Sequence, residues 1–115
     1  MKEDIQQKEK EKDKDIFAIL KKYPDKVPVL VKKDPRSNID QIDKEKFLVP
    51  KELSFAQFIY VIRKRLRLSP EKAIFVFFGN QLVCSTYTME QVYELYKDKK
   101  TGMLHATYAA ENTFG

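Results

Sequence analysis

Residues 44–68 read KEKFLVPKELSFAQFIYVIRKRLRL, and the fold follows from how this stretch divides. Its start, 46–50, has the aromatic and β-branched residues of a short strand, closed by Pro50. Ser54 and Gln57 then stand three apart at a helix entrance, the spacing of a capping box, with Leu53 and Phe58 at the hydrophobic staple positions. Phe55, Phe58, Ile59, Ile62 and Leu66 recur at helical spacing and make one apolar stripe. Arg63, Lys64, Arg65 and Arg67 crowd the last turns, where cations complement the helix dipole. A strand feeding an amphipathic helix needs more sheet to pack on, and the flanking sequence supplies it.

Upstream, residues 26–33 (KVPVLVKK) form a strand interrupted by Pro28, which places it at an edge there or in a bulge. The sequence 34–38 (DPRSN) is a turn, and 39–45 a polar loop into the 46–50 strand. Two strands so separated suggest an antiparallel pair. Residues 15–22 form a short amphipathic helix carrying Ile16, Phe17, Ile19 and Leu20, stopped by Pro24. The arm before it, with QQKEKEKDK at 6–14, sets opposite charges three apart but like charges four apart, so its helical pairing partly cancels.

Downstream, 69–71 (SPE) suggests a single helical turn. The apolar run AIFVFF at 73–78, bounded by Gly79 and Asn80, fits a central strand buried on both faces. Residues 81–85 offer a minor strand across that turn. Thr88 and Gln91 repeat the capping box, with Tyr87 and Val92 as the staple, and Met89, Val92, Tyr93 and Tyr96 give the helical face. Residues 103–109 read as the last strand. The order helix, β, β, helix, β, helix, β predicts an α+β, ubiquitin-like β-grasp: a four-stranded mixed sheet with helices packed on it and an N-terminal helical extension. The expected divisions are 1–22 for the extension, 23–110 for the ubiquitin-like domain and 111–115 for a flexible tail.

The chain has 115 residues, room for one domain with a modest core. Its 43% hydrophobic and 34% charged residues are those of a globular protein, not a disordered one. No apolar run approaches the ~18 residues of a bilayer-spanning helix. Charge from Lys2 onward argues against a secretion signal. Cys84 is the single cysteine, which excludes an intrachain disulfide and favours a reducing compartment. Beside Leu82 and Val83 it is expected to be a buried or half-buried, inert thiol. The net charge of +5 is carried by residues 16–115, since the first fifteen are slightly acidic. That balance suits acidic peptides, an anionic lipid surface or nucleic acid, or simply a solvated basic surface. Without a phosphate loop, metal-ligand spacing or paired carboxylates, no cofactor, metal or catalytic residue is expected, and the chain reads as a non-enzyme. Cys84 and His105 lack a third orienting group for nucleophilic chemistry.

Six blocks, KKYPDKVPVLV (21–31), PRSNI (35–39), IDKEKFLVP (42–50), FIYVIRKRLRL (58–68), AIFVFFGNQLV (73–83) and TMEQVYELYKD (88–98), resemble in order and spacing the autophagy ubiquitin-like modifiers of the GABARAP and microtubule-associated-protein light chain type. The likeness covers about residues 15–115, and Phe114-Gly115 matches the mature end of the family. The resemblance implies that Gly115 is activated, passed through a conjugating enzyme as a thioester and joined to the amine of phosphatidylethanolamine. A processing and delipidating cysteine protease would be a further partner. The sequence ends at Gly115, as a processed form or one encoded ready to conjugate. The resemblance also implies a cytoplasmic protein that reaches the autophagosome membrane when lipidated and the lysosome or vacuole on delivery.

The same likeness implies that cargo receptors with an aromatic-x-x-aliphatic motif add a strand beside 46–50. The aromatic pocket would be Asp15, Ile19, Pro28, Leu30, Lys46, Leu48 and Met103. The aliphatic pocket would be Phe47, Val49, Pro50, Leu53, Phe58, Val61 and Arg65. Lys44, Lys46 and Arg65 would meet acidic residues flanking the motif. On a plain core reading, Phe47, Leu48, Val49, Leu53 and Phe58 simply pack inward. Met103 stands where the family usually has an aromatic residue and His105 where it often has tyrosine, and the flexible thioether implies a looser aromatic pocket. The alternative function is an unconjugated ubiquitin-like module that binds tubulin, nucleic acid or another acidic partner through Arg63, Lys64, Arg65 and Arg67.

Overall fold

The computed structural model describes residue 16 and residues 18–111. The charged arm, Asp15 and the terminal Gly115 lie outside the described residues. A helix α1 (described at 16 and 18–22) precedes β1 (Lys26–Lys33) and β2 (Lys46–Pro50). Then come α2 (Phe55–Leu66), β3 (Ile74–Phe78), β4 (Gln81–Leu82), α3 (Met89–Tyr96) and β5 (Leu104–Ala110). The strands form one mixed sheet in the order β2-β1-β5-β3-β4. β1 and β5 run parallel at its centre, and every other pairing is antiparallel. This is the expected ubiquitin-like arrangement, with the two residues of β4 making a fifth strand where four were counted. No helix among the described residues is long and apolar enough to cross a membrane.

Strand alternation sorts the sheet into two faces. Val27, Val29 and Val31 of β1 and Leu104, Ala106 and Tyr108 of β5 turn to one side and are buried. Phe47 and Val49 of β2, Val76 and Phe78 of β3, and the α2 stripe Phe55, Phe58, Ile62 and Leu66 complete that core. Phe47 meets Phe58 edge-on at 5.9 Å and Phe55 meets Phe78 at 5.2 Å, so aromatic pairs join α2 to both halves of the sheet.

Both capping boxes form. Ser54 Oγ accepts from Gln57 N at 3.1 Å and Gln57 Oε1 from Ser54 N at 3.0 Å. Thr88 and Gln91 repeat the exchange at 3.2 and 2.9 Å. The two helix entrances are also stitched together: Met89 N donates to Leu53 O at 2.7 Å, Phe55 N to Tyr87 O at 2.8 Å, and Ser54 and Thr88 form an isolated bridge. α2 ends at Arg67, a non-glycine residue in the left-handed region at φ 55°, where Leu68 N reaches back to Arg63 O.

Three local expectations are corrected, while the one at Pro28 holds: β1 lies inside the sheet, but at Pro28 it has no neighbour on the β5 side. Val31 N donates towards β2, so alternation aims the missing Pro28 N–H towards β5, and the β5 ladder begins only at Val29. β3 is flanked by β5 and the short β4, and it buries one face: Val76 and Phe78 are enclosed while Phe75 and Phe77 are half-buried. Residues 69–72 form a turn closed by Lys72 N donating to Ser69 O, not a helical turn. Cys84 is exposed, because β4 stops at Leu82 and the chain leaves the sheet before reaching it.

Candidate ligand-binding edge

β2 forms one edge of the sheet. It pairs with β1 from Lys26↔Pro50 to Leu30↔Lys46, and its other side carries no strand among the described residues. What fixes its position is the loop before it. Tyr108 Oη accepts from Ile42 N at 2.7 Å and donates to Asp40 O at 2.8 Å, while Val31 N holds Glu45 O at 2.7 Å. Burial of the Tyr108 phenol raises its pKa.

On the sheet face away from the core, register sets Leu48 opposite Pro28 and aligns Lys46, Leu30 and His105 across three strands. α1 lies over this face and leaves a cleft of about 800 Å³. Ile19, Pro28, Leu30, Lys46, Leu48 and Met103, all described members of the expected aromatic pocket, line it together. Leu48 is 38% exposed and Lys46 is exposed, whereas Met103 is buried at the cleft floor. The cleft also takes in Ile16, Ala18, Lys44, Lys100, Thr101 and His105, which the expected set lacked. Period-two alternation from Met103, the residue before β5, was the signal for His105. Lys100 and Thr101 come from the α3–β5 turn, for which no sequence signal existed.

The second expected group is split. Phe47, Val49 and Phe58 point into the core, as the plain packing reading had it. Pro50, Leu53 and Val61 are half-buried, and Arg65 is exposed with its Nε 3.2 Å from Asp43 Oδ1. Phe47 also borders the first cleft, where Lys44 Nζ lies 5.2 Å from its ring centroid.

At the far end of the cleft, Thr101 Oγ1 accepts from Met103 N at 3.2 Å and lies 3.0 Å from His105 Nε2. Asp98 Oδ2 is 3.7 Å from the same nitrogen. Asp98 Oδ1 accepts from Lys100 N at 2.7 Å, and this bond holds the carboxyl below the usual range. Cys84 sits elsewhere, its Sγ 3.0 Å from Thr86 Oγ1, a contact that lowers the thiol pKa. Cys84 and His105 therefore engage separate partners. Among the described residues, no cluster of His, Cys, Asp and Glu is arranged to hold a metal.

The family model described as "Autophagy protein Atg8 ubiquitin like" matches residues 6–115. The chain belongs to the Atg8 family. Autophagy-related protein 8B of Oryza sativa is 53% identical over 97 residues, 84% of this chain and 81% of the relative. Autophagy-related protein 8 of Mycosarcoma maydis is 50% identical over the same shares. The crystal structure of Trypanosoma brucei ATG8 superposes with a TM-score of 0.84 at 36% identity, covering 93% of this chain and 91% of that one. Atg8 proteins are autophagy-related ubiquitin-like proteins.

Proposed function

We propose that this chain is a lipid-conjugated autophagy modifier that also docks receptor peptides. Its Gly115 carboxylate would be activated, carried as a thioester by activating and conjugating enzymes, and joined to phosphatidylethanolamine. A glycine without Cβ suits narrow active sites along that route. The observation that carries the docking half is the unpaired edge of β2 running beside an apolar cleft. A visiting extended peptide completes the β2 hydrogen bonds while its aromatic residue enters the cleft by Leu48, Pro28, Leu30 and Met103. Its aliphatic residue would rest on Pro50, Leu53 and Val61, and acidic flanks would meet Lys44, Lys46 and Arg65.

The alternative, an unconjugated module binding tubulin or nucleic acid through the basic end of α2, has weaker support. Arg63 is engaged by the carbonyls of Ser69 and Lys72, and Arg65 pairs with Asp43. That leaves Lys64 and Arg67 as the cations of the cluster facing solvent without such bonds.

The two halves are tested separately. In a reconstituted reaction with phosphatidylethanolamine liposomes, Gly115→Ala should abolish the lipid adduct seen by mass spectrometry; an unchanged yield would refute the role of Gly115. Lys46→Ala and Val61→Glu should weaken binding of an aromatic-x-x-aliphatic peptide while the circular dichroism spectrum is retained. Unaltered affinity in both variants would remove the docking assignment.

A further inference from the structure

We propose that the cleft at the foot of the C-terminal tail is the seat of the activating enzyme, and that it takes from that partner an apolar side chain flanked by lysine or arginine. The inference rests on the conjugation reading above and names the partner surface which that reading requires.

β5 ends at a fixed point. Ala110 N donates to the buried Ser37 Oγ at 3.1 Å, in the turn after β1, and Glu111 N donates to Ala73 O at 3.0 Å, just before β3. Around this exit lies an open cleft of about 620 Å³ between the 38–40 loop and the 68–74 segment. Ile39, Leu68, Ile74 and Ala110 are each half-buried and give it an apolar floor. It shares no lining residue with the cleft beside β2.

Position decides what covers this cleft. Gly115 is four residues past Glu111, and four residues extend at most about 14 Å. An active site that closes on the Gly115 carboxylate therefore comes down on the surface around Glu111, which is itself part of the cleft wall. An apolar side chain of the enzyme that enters at that moment removes the floor from water.

Charge sets the chemistry of the partner. Although the chain carries +5, this rim presents Asp40, Glu71 and Glu111, all exposed, against Lys72. Residues 112–115 add no charged side chain. Arg63 approaches from α2, but its guanidinium is bound to the carbonyls of Ser69 and Lys72, and the balance stays acidic. The basic group of Lys64 and Arg67 lies just across Leu68. A cationic flank is thus drawn to one side of Leu68 and repelled from the other, which orients the partner over the tail.

The test uses the full chain with ATP and the purified activating and conjugating enzymes, and follows thioester formation against chain concentration. In the double variant Asp40→Lys, Glu71→Lys, the KM should rise about tenfold with kcat little changed. Leu68→Ala should raise it about threefold. The conservative pair Asp40→Glu, Glu71→Asp should keep the wild-type KM, and thermal melting should confirm that every variant is folded. Raising the salt from about 0.05 to 0.3 M should bring the wild-type KM towards that of the charge-reversed variant. A KM unchanged by charge reversal, with wild type forming the thioester, overturns this inference and leaves the conjugation reading intact. A KM that falls would assign the cleft to the chain's own Phe114, and a wild-type dimer lost in the variant, seen by sedimentation, would assign it to a second copy; either result overturns the proposal. No thioester from wild type overturns the conjugation reading and this inference with it.

Discussion

The phenol of Tyr108, on the central strand β5, holds the backbone N–H of Ile42 at 2.7 Å across 66 positions of sequence. It also donates to Asp40 O, so one buried hydroxyl satisfies two backbone groups of the loop that delivers β2 to the sheet edge. Tyr108→Phe leaves both without that partner while removing little volume. We expect a loss of about 1–3 kcal/mol in denaturant unfolding. Faster amide exchange should be confined to residues around Ile42, and a uniform increase across the sheet would refute this local role.

Ser54 and Thr88 cap two helices and also bridge to each other. Each alanine substitution should cost about 1 kcal/mol. Residues that share one network do not act independently, so the double variant should depart from additivity by about 0.5 kcal/mol or more. Strict additivity in a thermal or urea cycle would mean that the bridge transmits nothing.

Asp34 is buried at the end of β1, where Oδ1 accepts from Arg36 N at 2.9 Å and Oδ2 lies 2.8 Å from the Arg36 guanidinium. The Arg36 side chain, then its amide, lowers the carboxyl pKa from 3.8 to about 2. The folded state therefore prefers the ionised form. That preference contributes its full stability above the ordinary carboxylate pKa and loses it as pH falls through about 2. Wild type should unfold at a higher temperature than Asp34→Asn at pH 6, and the gap should close between pH 4 and pH 2. A gap independent of pH would show that shape rather than charge sets the contribution.

Cys84 should react with a thiol reagent in the folded protein as readily as an unhindered thiol, because it is exposed and the Thr86 hydroxyl favours its thiolate. Thr86→Ala should raise the thiol pKa, seen as a shift of the pH–rate curve to higher pH. Protection of the native thiol until denaturant is added would contradict its exposed position.

Local chemistry was the legible part of this sequence. The capping boxes at Ser54 and Thr88, the α2 stripe and the ubiquitin-like order are written in spacings of three and four residues. The misreadings arose where an answer depended on a distant neighbour. The run at 73–78 looks the same whether one or both faces are covered, and only the flanking of β3 by β5 and the short β4 decides it. Pro28 signalled a local edge, and the β5 ladder does begin only one residue later, although β1 is otherwise paired on both sides. Leu82 and Val83 suggested a sheltered Cys84, but β4 ends at Leu82. The cleft residues on β1 and β2 were expected from the family resemblance, and strand alternation is consistent with their sharing one face. Lys100 and Thr101 arrive from a turn, which has no periodicity to read.

β2 is five residues long, with Lys46 at one end and Pro50 at the other. If two copies tried to zip together along this edge in antiparallel fashion about Leu48, each Lys46 would face a Pro50 with no N–H to give. In a parallel arrangement, lysine would stand against lysine. Molecules crowded side by side should thus resist growing into ribbons, and each should remain individually free for hire by a foreign chain.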